Sequence, residues 1–187
     1  MYRYTANGWE QMGSTIYGSV ASYDANGPGE HLGHKVSLSA DGTILAASGN
    51  YASHGTNAYA GGRYAGIVRI YELNSDVWNE TYSILGQYEY TNYNATSRFG
   101  GDIQLSADGT RLVVGADGYA IYNNNKWENH TGKAYVYEKN GSAWREIGSW
   151  VGENATDYFG EAVSISRNGK VVAISSYRYN GAGTQRG

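Results

Sequence analysis

The sequence predicts an all-β protein that is built from repeated antiparallel sheets, and three observations lead to this fold class. Segments of similar sequence recur three times, Asp-Gly or Asn-Gly pairs separate short apolar stretches, and no apolar pattern with the period of a helix is sustained. Glycine contributes 27 of the 187 residues, about twice its usual share. Short strands that are connected by tight turns explain all of these features.

The first repeated block predicts two strands and the turn between them. Apolar and polar residues alternate before the turn, as in a half-buried strand, and a short apolar run follows it, as in a strand covered on both faces. The turn holds Asp41, Asp108 or Asn168 followed by glycine, which is the strongest short signal for a hairpin. The three copies of the block span residues 33–47, 100–114 and 160–174.

A second repeated block predicts the third and fourth strands of each sheet. Residues 66–72 and 132–138 are rich in β-branched and aromatic side chains, which favour strands. A polar turn follows and leads to a tryptophan; the copies in register are Trp9, Trp78 and Trp144, and we expect all three to pack inside the fold. Four-stranded antiparallel sheets that repeat along a chain are the sequence signature of a β-propeller.

The tryptophan spacings of 69 and 66 residues predict three blades in one domain, residues 1–187. The repeats cover about 9–77, 78–143 and 144–187 together with 1–8. In this division the N-terminal segment supplies strands three and four of one blade, and the C-terminal segment supplies strands one and two. We expect these halves to pair between two chains, which would give a homodimer with six blades and no open strand edges. The alternative is a fragment of a longer propeller.

The second repeat carries a resemblance to a known family. Its marks, in chain order, are Phe99-Gly100, Ser106-Ala107-Asp108-Gly109, Gly115-Ala116 and Gly132 before a strand. This pattern resembles the FG-GAP repeat of integrin α-subunits, is in part similar to a WD40 repeat, and extends over all three repeats. The resemblance implies a β-propeller, and FG-GAP blades often bind calcium through loops with several carboxylates. Here Asp41 and Asp108 stand alone in their loops, so we expect no metal and assign both carboxylates to the turns.

Composition excludes several classes of protein and of site. The chain has no cysteine, which excludes a disulfide scaffold and cysteine-ligated metals. A net charge of −3 gives no reason to bind nucleic acid, and no apolar run reaches the roughly 20 residues that cross a membrane. N-x-S/T sequons are more frequent than in a shuffled chain and slightly favour an extracellular location. They begin at Asn79, Asn94, Asn129, Asn140 and Asn154.

Three long connections between second and third strands predict a binding face. They span residues 49–65, 117–131 and 177–186 and occupy equivalent positions, so we expect them to cluster at one end of the fold. Rigid aromatic side chains and adaptable amides suit the recognition of a glycan or a protein. The candidate ligand-binding residues are Tyr51, His54, Tyr59, Tyr64, Tyr119, Tyr122, Trp127, His130, Tyr177 and Tyr179.

The sequence favours binding over catalysis. It contains no G-x-S-x-G, no phosphate loop and no H-E-x-x-H, so we predict no catalytic residues and no cofactor. Asp117 and Glu128 share one loop, and we expect both to be solvated charges. A non-enzymatic β-propeller module is therefore the favoured interpretation. Two alternatives stay open: a hydrolase or lyase that acts on polysaccharide, and a purely structural propeller.

Overall fold

The computed structural model describes residues 1–19, 29–53, 64–87 and 96–179. All regular structure in these ranges is β, without a helix, and the strands pair antiparallel. The prediction of an all-β fold is confirmed. The strands form two four-stranded sheets and three two-stranded hairpins.

The strands follow one another in a simple order. An N-terminal hairpin contains β1 (Tyr2–Thr5) and β2 (Gly8–Gln11). The first sheet contains β3 (Lys35–Leu38), β4 (Ile44–Gly49), β5 (Ile67–Asn74) and β6 (Val77–Leu85). The second sheet contains β7 (Asp102–Leu105) and β8 (Arg111–Ala116), then an inserted hairpin of β9 (Ile121–Asn123) and β10 (Lys126–Glu128), then β11 (Lys133–Asn140) and β12 (Ala143–Val151). A C-terminal hairpin contains β13 (Val163–Ile165) and β14 (Val172–Ile174).

Two of the three predicted four-stranded sheets are present, and each is a meander in which successive strands are neighbours, apart from the inserted hairpin. The sequence predicts this hairpin only as part of the long connection 117–131. The structure corrects this, because Asn124 and Asn125 adopt left-handed φ angles of 48° and 60° and close a two-residue turn. The predicted third sheet is present only as two separate halves: within the described ranges β1 and β2 do not pair with β13 and β14. Their pairing stays a prediction, as does the number of blades.

The tryptophans occupy the predicted fourth strands but differ in burial. Trp144 is buried between the sheets, and Trp78 packs beside the residues of the first sheet that face the N-terminal segment. Trp9 instead is 72% exposed on β2 and contacts Tyr4 edge to face. The expectation that Trp9 packs inside the fold is therefore wrong for a single chain, because β1 and β2 pair only with each other among the described strands.

Polar side chains close the turn between the first two strands of each repeat. Ser39 Oγ donates to Asp41 Oδ1 at 2.6 Å, and Thr43 N donates to the same oxygen at 3.0 Å. The side-chain oxygens of Asp108 and Asn168 accept equivalent backbone N–H bonds, at 3.0 and 3.1 Å. The prediction that these residues are turn formers is confirmed. The hydrogen bonds hold the pKa of the Asp41 and Asp108 carboxyls below its ordinary value, chiefly through the neighbouring serine hydroxyls.

The sheets pack face to face in chain order. Side chains alternate along β8, so that Leu112 and Val114 face the first sheet while Val113 faces the C-terminal hairpin. This explains the continuous apolar run in the sequence, because both faces of the strand are covered. The first strands of successive units, β3, β7 and β13, are in direct contact, whereas the fourth strands β6 and β12 make much less contact. Successive sheets therefore splay apart from a common inner edge.

A close backbone approach links each sheet to the next unit. Gly66 forms a parallel bridge with Phe99, and Gly132 forms the same bridge with Phe159. The glycines have φ angles of 88° and 83°, and a Cβ at either position would overlap the carbonyl oxygen of the bridged phenylalanine. Glycine is required here for both reasons, which explains why the Phe-Gly and strand-start glycines recur together.

We expect Leu112→Ala to destabilise the protein by about 2–5 kcal/mol, because Leu112 is inaccessible between the two sheets and truncation leaves a cavity. Leu85→Ala is the matched control, since Leu85 is 55% exposed on β6; it should change stability by less than about 0.5 kcal/mol. Urea unfolding measures both values. Equal losses in the two variants would contradict the described packing.

The lowered pKa of the Asp41 and Asp108 carboxyls predicts that the stability of the protein depends on pH. Their folded-state pKa lies below the unfolded value, which is about 3.9 for aspartate. The stabilisation is therefore complete above that value and is lost as the pH falls through the folded pKa. The double variant Asp41→Asn, Asp108→Asn copies the natural Asn168 turn and should keep the fold. Its free energy of unfolding should fall less between neutral pH and about pH 3 than that of the unaltered protein; an identical fall would exclude these turns as the cause.

Candidate ligand-binding site

Aromatic and arginine side chains form a row along one end of the stacked sheets. This end carries the starts of β3, β5, β7, β11 and β13 and the ends of β4 and β14. All members of the row are partly or well exposed. We call it the aromatic–arginine row, and its members are His31, Tyr51, Tyr64, Arg98, His130, Tyr158, Tyr177 and Arg178.

The repeated joint between units brings the centre of the row together. Arg98 and Tyr158 each precede the phenylalanine of a Phe-Gly pair, and Tyr64 and His130 lie two residues before the bridging glycines. The amide of Arg98 donates to the carbonyl of Tyr64 at 3.0 Å, and the amide of Tyr158 donates to that of His130 at 2.9 Å. Each joint thus brings the backbone of one residue of the turn beside that of the preceding connection, and in the second joint the His130 and Tyr158 rings also stack.

The backbone of these residues is unusual. His31, Arg98 and Tyr158 have φ angles of 56°, 50° and 54°, and Tyr64 and His130 have φ angles of 51° and 56°. The left-handed region is uncommon for residues other than glycine, and bulky residues held there cluster at functional sites. Glycine would be easier to accommodate at all five positions, and the chain uses glycine freely elsewhere. Large side chains at these positions need support from their surroundings.

Ring contacts connect the first members of the row. The His31 and Tyr51 rings lie 4.9 Å apart between centroids, and the Tyr51 and Tyr64 rings also lie 4.9 Å apart, edge to face. These distances are typical of favourable aromatic pairs. The three rings form a continuous aromatic surface at the end of the first sheet.

The other end of the row is a stack of rings and a guanidinium. The His130 and Tyr158 rings are almost parallel, at 11° and 4.8 Å, and Tyr177 lies 5.6 Å from Tyr158. The guanidinium carbon of Arg178 is 5.0 Å from the Tyr158 ring centre and 5.2 Å from that of Tyr177, within the range of cation–π attraction. In the described part of the chain Arg178 has no carboxylate partner.

An ion pair supports the middle of the row. Arg98 donates to Asp117 through its guanidinium, and its central carbon lies 6.0 Å from the Tyr158 ring. The Asp117 side chain is only 12% exposed, so the expectation of a solvated loop charge is wrong for this residue. Burial raises the pKa of Asp117, Arg98 opposes the rise, and the charge of Glu161 adds to it.

The surroundings of His130 oppose its protonation. Burial lowers the pKa of its imidazole, and the positive charges of Arg98 and Arg178 lower it further. Its Nδ1 atom is buried and finds no hydrogen-bond partner in the described ranges. In its neutral form an imidazole has one donor and one acceptor nitrogen. The His130 ring can therefore offer polar edges as well as an aromatic face to the row.

Four of the predicted site residues, Tyr51, Tyr64, His130 and Tyr177, belong to the row. His54 and Tyr59 lie outside the described residues. The remaining four lie elsewhere. Tyr119 packs against the core, with Lys133 Nζ 5.1 Å from its ring centre, and Tyr179 donates its hydroxyl to Glu153 at 2.8 Å. Tyr122 and Trp127 contact each other at 5.1 Å on the inserted hairpin.

The remaining members of the row, His31, Arg98, Tyr158 and Arg178, are absent from the sequence-based candidates. A signal for three of them exists in the repeat: His31, Arg98 and Tyr158 occupy the same position, one residue before the Leu or Phe that precedes the repeated glycine. Alignment of the three copies finds this position. It does not show that the preceding connection meets it, because that contact depends on the bridge between units.

Comparison with known proteins gives no family. No protein-family model matches the sequence, and no curated protein matches it at a significant level. The resemblance to FG-GAP and WD40 repeats therefore stays a prediction. Within the described ranges no three His, Cys, Asp or Glu side chains are grouped as metal ligands, and no helix there has the length and apolarity to span a bilayer.

We expect Arg178→Gln to raise the pKa of His130, because the variant removes one of two positive charges that oppose its protonation. Arg178 is exposed and makes ring contacts, so the fold should tolerate the change. NMR titration of the imidazole measures the pKa. Arg145→Gln is the control, since Arg145 pairs with Glu138 on the second sheet and should leave the value unchanged. A His130 pKa that stays constant in Arg178→Gln would contradict the geometry of the stack.

Proposed function

We propose that the protein is a non-enzymatic β-propeller binding module whose aromatic–arginine row binds a glycan. The packing of the described units supports the propeller arrangement. Successive four-stranded meanders contact one another at their first strands and diverge at their fourth strands, as do blades around an axis. The same glycine–phenylalanine bridge joins both pairs of consecutive units, as expected for repeated blades.

The observation that carries the binding role is the set of five bulky residues in left-handed backbone, all of which belong to one surface row. Such residues persist where the surroundings impose the conformation and where the side chain has a use. Here the use is an extended surface of rings, which present large contact area at a low cost in conformational entropy.

The chemistry of the row favours a glycan that carries an acidic group. The exposed ring of Tyr177 can pack against the apolar face of a sugar ring, and imidazole and phenol edges can hydrogen-bond to hydroxyl groups. Arg178 is exposed and carries a charge without a carboxylate partner in the described part of the chain, so it can pair with a ligand carboxylate. The Asp117 carboxylate forms an ion pair with Arg98. Glycoside hydrolysis uses two carboxyl groups, so this ion pair favours binding over acid catalysis.

The experiment is a calorimetric titration with neutral and uronic-acid-containing oligosaccharides. We expect measurable binding, tighter for the acidic members, and a loss of about tenfold or more in affinity for Tyr177→Ala, because an aromatic anchor contributes more than about 1.4 kcal/mol. Arg178→Gln should reduce the preference for acidic over neutral members.

Tyr122→Ala is the matched control for this titration. Tyr122 is 60% exposed and also contacts an aromatic ring, but it lies on the inserted hairpin outside the row. Its affinity should equal that of the unaltered protein. No binding by any oligosaccharide, or equal losses in Tyr122→Ala and Tyr177→Ala, would exclude the row as the glycan site. A protein ligand on the same surface would then be the next hypothesis to test.

A further inference from the structure

The joint between consecutive units occurs twice in the chain and has the same construction each time. In the first joint, Leu105 N on β7 donates to Ser37 Oγ on β3 at 2.9 Å. In the second, Ile165 N on β13 donates to Gln104 Oε1 on β7 at 2.6 Å. Ser37 and Gln104 are equivalent residues of the repeat, as are Leu105 and Ile165. The side chain of one inner strand therefore accepts a backbone bond from the next.

The turns between first and second strands continue the same joint through the backbone. Ala40 N donates to Ala107 O at 2.8 Å, and Ala107 N donates to Arg167 O at 2.9 Å. These three residues are equivalent, so each turn donates to the next one along the chain. Among the described bonds, the pattern leaves the carbonyl of Ala40 and the amide of Arg167 as the two open ends.

A side chain of each second strand covers the turn glycine of the next unit. Ile44 Cδ1 lies 2.6 Å from the position that a Cβ would occupy on Gly109, and Arg111 Cδ lies 2.8 Å from the same position on Gly169. Gly42, the first glycine of this series, has no described atom within 4 Å of its Cβ position. Val171, the last covering residue, is 67% exposed. Within the described ranges, the contact between a covering side chain and a turn glycine is therefore unmade at two places: Gly42 of the first unit has no covering side chain, and Val171 covers no glycine.

The apolar inner strand of the first sheet is also uncovered. Val36 and Leu38 on β3 are 64% and 50% exposed, while the equivalent Ile103 and Leu105 on β7 are 6% and 5% exposed. The difference follows from the neighbours, because the first sheet covers β7 and no described unit covers β3 in the same way. β3 therefore exposes apolar side chains at positions that a neighbouring unit covers on β7.

The N-terminal hairpin lies beside the first sheet and corresponds to the third and fourth strands of a unit. Met1 and Ile16 of the N-terminal segment pack against the face of the first sheet that the second sheet does not cover. Among the described strands, β1 pairs only with β2, whereas the equivalent third strands β5 and β11 each pair on both edges. A cavity of about 280 Å³ lies between the N-terminal segment and the first sheet, and its lining includes Met1, Tyr2, Leu32, Val36, Leu45 and Ala47. No first or second strand of the described ranges occupies the free edge of β1.

We propose that β13 and β14 of a second copy of this chain pair with β1, so that two chains close one ring with twofold symmetry. β13 and β14 are first and second strands, and the second-strand edge of β14 is open in the described chain. The pairing satisfies the strand edges and covers the apolar face of β3 at once. The proposal rests on the propeller arrangement given under the proposed function, and it is independent of the ligand.

The internal sheets specify the register of the new pair. Ile44 lies opposite Glu72 in the first sheet, and Arg111 lies opposite Glu138 in the second. The equivalent residues are Val171, immediately before β14, and Arg3 on β1. These two residues of different chains should therefore lie directly opposite each other, with Cα atoms about 4.5–5.5 Å apart.

Light scattering on a size-exclusion column tests the assembly over a series of concentrations. We expect the mass of two chains for the unaltered protein and the mass of one chain for Val36→Asp, which places a charge in the open joint. Val77→Asp is the matched control, since Val77 is 55% exposed at the start of β6, and it should keep the two-chain mass. Circular dichroism verifies that both variants remain folded. A one-chain mass for the unaltered protein at all concentrations overturns the proposal.

Engineered cysteines test the register, because the chain has no cysteine of its own. The double variant Arg3→Cys, Val171→Cys should form a disulfide between chains under mild oxidation, since directly opposite strand residues satisfy disulfide geometry. Both residues are exposed in one chain, so folding should tolerate the changes. The control Arg3→Cys, Ala143→Cys pairs the same β1 position with the exposed start of β12 and should not cross-link.

The outcomes separate the assembly from the ligand. A two-chain mass with cross-linking specific to Arg3→Cys, Val171→Cys supports the proposed pair whether or not an oligosaccharide binds. A two-chain mass that survives Val36→Asp, or equal cross-linking in both cysteine variants, indicates a different interface and overturns it. Failure of the glycan titration leaves these measurements unaffected.

Discussion

The bridge between a glycine and the phenylalanine of the next unit is the contact on which the rest of the structure depends. Gly66 meets Phe99 and Gly132 meets Phe159, and neither approach leaves room for a side chain on the glycine. The bridge sets the position of one sheet relative to the next. The Phe99 ring fills the space between the sheets and is 1% exposed, so the approach is supported by burial of a large apolar side chain.

The same bridge produces the candidate site. The residue before each phenylalanine is directed to the surface in left-handed backbone, and the connection that leads to each glycine arrives beside it. Arg98 therefore meets the backbone of Tyr64, and Tyr158 stacks on His130. Core packing at the phenylalanine holds a conformation that the neighbouring bulky residue would not adopt by itself. The stability of the fold and the candidate site thus depend on the same structural element, and its repetition places the members of the row along one end of the sheets.

Much of the fold could be predicted because its signals are local. Asp41 and Asp108 close their turns with bonds to residues two positions away, and alternating burial along a strand follows from the pleat. Part of the site could be predicted from composition, since Tyr51, Tyr64, His130 and Tyr177 of the tyrosine-rich connections belong to the row. The function of that surface, and the family to which the chain belongs, have no such local signal.

The sequence by itself determined the repeat, the strand order within each sheet and the residues of the turns, because these depend on neighbours in the chain. Only the tertiary structure decided which charges are buried and which rings touch. Asp117 is buried against Arg98, and Tyr158 stacks on His130, because the bridges bring separate connections together. Trp9 is exposed although its counterparts pack. Equivalent residues differ here because burial depends on what lies across a joint, which periodicity within one repeat does not encode.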